Sequence, residues 1–262
     1  MIIHPNIDPV AIHLGPVGIQ WYGLMYVLGF LGVYLLGSYR VKHYSSTIRG
    51  HWSSEQISDF IFYGALGAVF GGRLGYVLFY KPAEYLANPI DIFKINEGGM
   101  SFHGGLLGVI LAVSIYARKT DRKFLDIADF IAPLAPIGLF TVRVGNFINQ
   151  ELWGKTTDLP WAVLFSNGGP LPRHPTQLYE AGLEGLLLLA ILWWFARKPR
   201  AAGILSGLFL MGYAVARMAV EFVRVPDAHL NYLLFDWVTM GHLLSLPMLF
   251  LGVFLVVRKG GG

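Results

Sequence analysis

In the run Arg217-Met-Ala-Val-Glu221-Phe-Val-Arg224, charges recur at i, i+4 and i+7, so two cations and a carboxylate share one helical face. A second run, Arg143-Val-Gly-Asn146-Phe-Ile-Asn-Gln-Glu151-Leu-Trp-Gly154, puts a guanidinium and a donor amide on one face. A carboxylate lies just beyond them, and Gly154 permits close backbone approach. A third, Gly99-Met-Ser101-Phe-His103-Gly104-Gly105, sets an imidazole beside glycines that clear space for a bulky group. Guanidinium groups in such settings grip an anion. A neutral imidazole, with an ordinary pKa near ~6.5, can accept a proton at neutral pH. Each run also has a purely structural reading. Arg217 and Glu221 can neutralise each other, an Arg near a helix end can snorkel to the interface, and Gly104-x-x-x-Gly108 can be a packing motif.

The elements that carry these residues are apolar. Hydrophobic residues make up 55% of the 262 residues and charged ones only 14%, against roughly 25% in an average soluble domain. The mean hydropathy is +0.53, and apolar runs near the ~20 residues needed to cross a bilayer recur along the chain. The expected spans are about 18–38, 57–80, 100–117, 124–147, 177–196, 203–223 and 237–257. These predict an all-α polytopic membrane bundle of about seven helices, a single transmembrane domain over 1–262. The loop 148–176, rich in Trp, Gly and Pro, is expected to form a small cap. Gly67-x-x-x-Gly71-x-x-x-Gly75 is a small-residue packing stripe.

Basic residues set the orientation. Arg40/Lys42/Arg49, Arg118/Lys119/Arg122/Lys123, Arg197/Lys198/Arg200 and Arg258/Lys259 all fall on one side. The other side has only Lys81, Lys94, Lys155, Arg173 and Arg224. Positive loops stay cytoplasmic, so the N-terminus is expected outside and the C-terminus inside. These clusters sit between spans and form no basic face, which argues against a nucleic-acid partner despite a pI of 9.2. The first Lys or Arg is Arg40, so the N-terminus lacks the basic start of a cleavable signal peptide. With no Cys, the chain has no thiolate site or cysteine nucleophile, and a reacting thiol would come from substrate.

Arg73, Arg143 and Arg217 remain inside spans, where an unpaired charge costs at least ~2.5–3.5 kcal/mol. Counted from the outer end at ~1.5 Å per residue, they share one layer with Tyr26, His103, Glu180 and Glu184. The layer predicts a polar cavity opening toward the outer headgroups. Asp126 and Asp129 lie near the other end and are expected to meet interfacial water and Arg122/Lys123.

The segments HGGLLG (103–108), RVGNFINQELWG (143–154), HPTQLYE (174–180) and RMAVEFVR (217–224) together resemble the prolipoprotein diacylglyceryl transferase family, along nearly the whole chain. The resemblance implies a seven-helix enzyme of the bacterial inner membrane, its site facing the outer leaflet. Such an enzyme moves the diacylglyceryl group of phosphatidylglycerol to the lipobox cysteine of a prolipoprotein. It further implies catalytic roles for Tyr26, His103, Arg143 and Arg217. Substrate binding falls to Arg143 and Arg217 with Asn146, Glu151, Gly154 and Glu221, and Gly104 and Gly105 stand beside the site. Val142 and Met218, where the family usually has Gly and Phe, are apolar departures next to the two arginines.

No metal or other cofactor is expected: there is no H-E-x-x-H, ligand spacing or P-loop, and the lipid itself is the activated donor. Two other readings are weaker. A rhomboid-like serine protease built on Ser101, His103 and His242 suffers because Ser101 and His103 point to different helix faces. A transporter would need charges at both depths and shows no repeat.

Overall fold

The computed structural model describes residues 2–15, 17–94, 98–226, 233, 235 and 237–258. Lys259 of the last basic cluster lies outside them. Helices dominate: α1 (Trp21–His43), α2 (Ser54–Phe79), α3 (Pro82–Ala87), α4 (Phe102–Lys119), α5 (Phe124–Ile131) and α6 (Ala135–Ile148). They continue with α7 (Thr176–Glu180), α8 (Leu188–Phe195), α9 (Ile204–Glu221) and α10 (Met240–Val257), and a π-helical segment, Ala181–Leu187, joins α7 to α8.

Among the described residues, 5 helices are long and apolar enough to cross a membrane, or 6 if α5 and α6 form one broken span. They are α1, α2, the continuous stretch Thr176–Phe195, α9 and α10. The expected count of about seven is therefore reached only in part. The segment expected at 100–117 is the helix α4, but Arg118 and Lys119 in its last turn and His103 in its first dilute its apolar character. Large apolar side chains point outward along these helices, Phe79 at 80% exposure and Val257 at 72%. Such faces suit lipid rather than water.

Two expectations are corrected. The all-α reading misses short strands: β1 (Ile2–Ile3) pairs in parallel with β4 (Val163–Leu164), and β2 (Val10–Leu14) forms an antiparallel hairpin with β3 (Val17–Gln20). And the span expected at 124–147 is broken, α5 and α6 meeting at 51°. Pro133 has no N–H to give the Asp129 carbonyl, and the Leu134 N–H turns back to Ile131, which frees the Phe130 carbonyl as well. Arg40 serves both, its Nη1 donating to Phe130 at 2.8 Å and to Asp129 at 3.4 Å. Arg40 is thus a buried splint for the bend.

Asp126 and Asp129 also find partners other than those expected. Asp126 faces Arg49 at 3.7 Å. Asp129 is buried and accepts the backbone N–H groups of Gly203 (2.7 Å) and Ser206 (2.8 Å) and the Ser206 hydroxyl (2.6 Å). It caps α9, whose free N–H groups need such an acceptor.

The predicted glycine stripe packs α2 on α4. A Cβ on Gly71 would lie 2.8 Å from the Gly108 Cα, and one on Gly75 would lie 2.8 Å from the Gly104 Cα. The two backbones touch, so dispersion between them replaces contact with lipid.

The loop between α6 and α7 folds back on itself and on the start of the chain. His4 is buried, its Nε2 against the Phe147 carbonyl at 3.0 Å and its ring edge-on to Phe147. Gln150 ties the same region together, accepting from the Ser166 N–H at 2.8 Å and donating to Asn6 at 3.3 Å. Arg173 lies over the Trp153 ring at 3.9 Å.

Gly71→Leu should force α2 and α4 apart and cost about 1–3 kcal/mol, the usual penalty of overpacking, read as a lower thermal midpoint in detergent. Burial holds the His4 imidazole below its ordinary 6.5, so the unfolded chain binds a proton that the fold resists. Stability from this site is complete above about 6.5 and is lost as pH falls below it. His4→Gln should flatten that part of the pH–stability curve, whereas an unchanged slope would assign it to other groups.

Candidate active site

Gly185 brings the π segment onto α6: a Cβ there would sit 2.7 Å from the Phe140 Cβ and 2.9 Å from its Cα. Arg143 follows Phe140 by about one helical turn, so this contact sets the guanidinium level with Glu180 and Glu184. The π segment begins right after Glu180 and contains Glu184. π-helical insertions re-aim side chains and recur at functional sites. Here both carboxylates point inward and are wholly buried.

The acids and bases meet in one network. Glu180 Oε2 pairs with Arg143 Nε at 3.0 Å, and Glu180 Oε1 pairs with Arg217 Nη1 and with Arg224 Nη1, the latter at 3.1 Å. Arg143 Nη2 lies 3.5 Å from Glu184. Arg217 Nη2 pairs with Glu221 at 2.7 Å, which is the i, i+4 contact expected within α9. The Thr239 hydroxyl donates to Glu221 at 2.8 Å and lies 3.0 Å from His242 Nδ1. Gly241 leaves the space that this carboxylate fills. On the other flank, Arg143 Nη1 reaches Asn146 at 3.5 Å, and the Asn146 amide donates to Glu151 at 3.2 Å. Asn149 adds a second donor to Glu151 at 3.3 Å.

Three arginines thus face three carboxylates, on α6, α7, the π segment, α9 and the turn after α9. A charge placed in hydrocarbon is tolerable when paired in this way. Removing one partner of such a buried pair typically costs ~3–5 kcal/mol. The arginine side chains retain some exposure, 15% for Arg143 and 14% for Arg217, whereas Glu180 and Glu184 have none. An arriving anion would therefore meet guanidinium first.

The structure brings together Arg143, Asn146, Glu151, Arg217 and Glu221 among the residues singled out by sequence. The Tyr26 hydroxyl is 3.3 Å from that of Tyr22, whose ring lies against Gly145, and its side chain is exposed. His103 is exposed in the first turn of α4. The space beside Gly104 is occupied by the backbone of α2 at Gly71 and Gly75, and Gly105 faces the Ala68 carbonyl. Gly154 forms an antiparallel bridge with Arg224, where a Cβ would meet the Val223 carbonyl at 2.6 Å. Its missing side chain seats the loop on the end of α9.

Arg73 takes backbone partners. It is buried and donates to the carbonyls of Asp91 (2.6 Å), Ile92 (2.8 Å), Lys94 (3.2 Å), Gly98 (2.6 Å) and Gly99 (3.2 Å), fastening the connection between α2 and α4. Ser101 caps α4, accepting from the Gly104 N–H at 3.2 Å. The sequence puts Glu180 and Glu184 in the polar layer and Arg224 on the face of Arg217 and Glu221, but gives none of the three a role in the site; the i, i+4 spacing of the two acids is the available signal for their pairing with the arginines.

The chain matches the prolipoprotein diacylglyceryl transferase family over residues 9–258. It is 55% identical over 257 residues to the phosphatidylglycerol–prolipoprotein diacylglyceryl transferase of Pseudomonas aeruginosa, covering 98% of this chain and 95% of that one. It is 52% identical over 255 residues to the enzyme of the same name from Legionella pneumophila, covering 97% and 98%. The paired arginines, with Glu180 and Glu221, stand in the stretches 143–154, 174–180 and 217–224 that carried the resemblance, and with matches of this length the chain belongs to the prolipoprotein diacylglyceryl transferase family.

Proposed function

We propose that this enzyme transfers the diacylglyceryl group of phosphatidylglycerol to the lipobox cysteine thiol of a prolipoprotein, the first step of lipoprotein maturation. The observation that carries the reading is the convergence of Arg143 and Arg217, from different helices, on one buried point while each keeps an accessible edge. The sulfur attacks the terminal glycerol carbon of the lipid, a C–S bond forms, and the C–O bond to phosphate breaks with its electrons going to oxygen. Glycerol phosphate leaves. A phosphodiester of charge −1 becomes a monoester approaching −2, so charge grows on the group that the arginines face. Guanidinium groups fixed in a low-dielectric site favour that change over the bound ground state.

The thiol, with an ordinary pKa of ~8.5, needs a base to take its proton. His103, Glu151 and Tyr26 are the candidates, and Glu151 already touches the phosphate-handling group through Asn146. Asn146 and Glu221 orient Arg143 and Arg217, and Gly154, with Gly104 and Gly105, shapes the surrounding backbone.

The enzyme works as one transmembrane domain of about seven spans in the bacterial inner membrane, α4 being the seventh. Its N-terminus lies outside and its C-terminus in the cytoplasm, and the loop 148–176 caps the outer end. In that frame the arginines sit at the outer-leaflet headgroup level. The lipid enters sideways and the signal peptide of the prolipoprotein lies alongside.

Purified protein with phosphatidylglycerol and a lipobox peptide should give a thioether-linked diacylglyceryl peptide and glycerol phosphate, and a Cys→Ser peptide should be inert. Arg143→Ala should insert normally and lose about 10²–10³-fold in turnover, as removal of one charge-stabilising donor does elsewhere. Wild-type turnover from that variant would contradict the role given to Arg143.

A further inference from the structure

Glu180 has no part in the chemistry above, yet it is the residue on which the arginines meet. We infer that Glu180 is a positioning residue that aims Arg143 and Arg217 at a single phosphate, with Arg224 as the counter-charge that stays with it when they move. The inference rests on the reading that these two arginines handle the lipid phosphate.

The contacts divide the labour. Arg143 is held through Nε, at 3.0 Å from Glu180 Oε2, while its two Nη groups make longer contacts, Nη2 to Glu184 and Nη1 to Asn146 at 3.5 Å each. Arg217 gives Nη1 to Glu180 and Nη2 to Glu221, so two carboxylates fix the plane of its guanidinium. Arg224 approaches Glu180 Oε1 from the loop end of α9 at 3.1 Å and is less exposed, 9%, than either of the other two. An incoming phosphate can draw Arg143 and Arg217 forward, and Glu180 stays neutralised by Arg224. Without that third cation, substrate binding would strand a carboxylate with no solvent contact, a state that costs several kcal/mol. The backbone of Arg224 is fixed as well, bridged to Gly154.

Charge balance gives this role a kinetic signature. Arg143, Arg217 and Arg224 offset Glu180, Glu184 and Glu221. In Glu180→Gln the site gains one net positive charge, so an anionic lipid binds at least as well. The two guanidinium groups, however, lose the anchor that sets their direction. Misplacement of about 1 Å can cost on the order of 10²-fold in rate.

The test uses the full-length protein in phosphatidylglycerol-containing liposomes, with lipobox peptide in excess and rates normalised to folded enzyme. For Glu180→Gln the expected result is a fall in kcat of about 10²-fold with KM for phosphatidylglycerol unchanged or lower. Glu180→Asp, which keeps the charge but shortens the reach, should recover part of kcat. Wild-type kcat from folded Glu180→Gln, or a raised KM with kcat held, would overturn the inference. Arg143→Gln run alongside separates the two levels: if it too is fully active, the phosphate reading falls, whereas a dead Arg143→Gln beside an active Glu180→Gln removes only the role of Glu180. Should Glu180→Gln fail to insert, Arg224→Gln is the second variant. For that variant a severalfold rise in KM for phosphatidylglycerol supports the inference, since binding would then strand Glu180, and wild-type KM and kcat overturn it.

Discussion

A carboxylate with no solvent contact, shared by three guanidinium groups, is the interaction on which this structure depends. Glu180 would be intolerable alone in hydrocarbon, and so would Arg143 or Arg217. Each is stable only because the others are present, and so the helices that bear them cannot drift apart. α6, α7 with its π segment, and α9 are locked at one depth by charges rather than by interdigitating apolar side chains. Hydrophobic burial contributes little to helix association in a bilayer, where lipid tails are as apolar as leucine, and ion pairs and close backbone contacts take over.

The rest of the molecule fixes where this junction falls. Asp129, at the far end of the broken span formed by α5 and α6, caps the first turn of α9, and Arg143 on the same broken span meets Glu180 together with Arg217. One bent element therefore holds α9 at both ends, about 20 Å apart at the usual helical rise. The bend makes that geometry available, and Arg40 supports it by serving carbonyls that Pro133 leaves open. Beyond α9, Gly154 bridged to Arg224 joins the folded loop to the same junction, and Gln177 binds the Glu151 carbonyl. The loop that carries Glu151 is tied to the helix that carries Glu180.

Much of this was legible in the sequence, and the remainder was hidden for identifiable reasons. Hydropathy placed the long helices to within a few residues, because the need to cover apolar length is written directly in composition. The pairing of Arg217 with Glu221 and the grouping of Arg143 with Asn146 followed from helical spacing. The strands did not, since β1 and β4 are two residues each and pair across a separation of some 160 residues. The π segment carries no compositional mark. Depth alone put Glu180 and Glu184 in the polar layer, but which arginine each would meet depends on helix packing that no local pattern carries. Arg73 was grouped with the other intramembrane arginines because its partners are backbone carbonyls, and no sequence pattern advertises those.

The central claim is that Arg143 and Arg217 together hold the phosphate of phosphatidylglycerol. The most direct measurement is a structure of the enzyme in nanodiscs with a phosphatidylglycerol analogue whose scissile C–O is replaced by C–C. The account predicts phosphorus density within ion-pair reach of both guanidinium groups, with Arg224 still on Glu180. A headgroup seated elsewhere, with Arg143 and Arg217 both unmoved from Glu180, would contradict it.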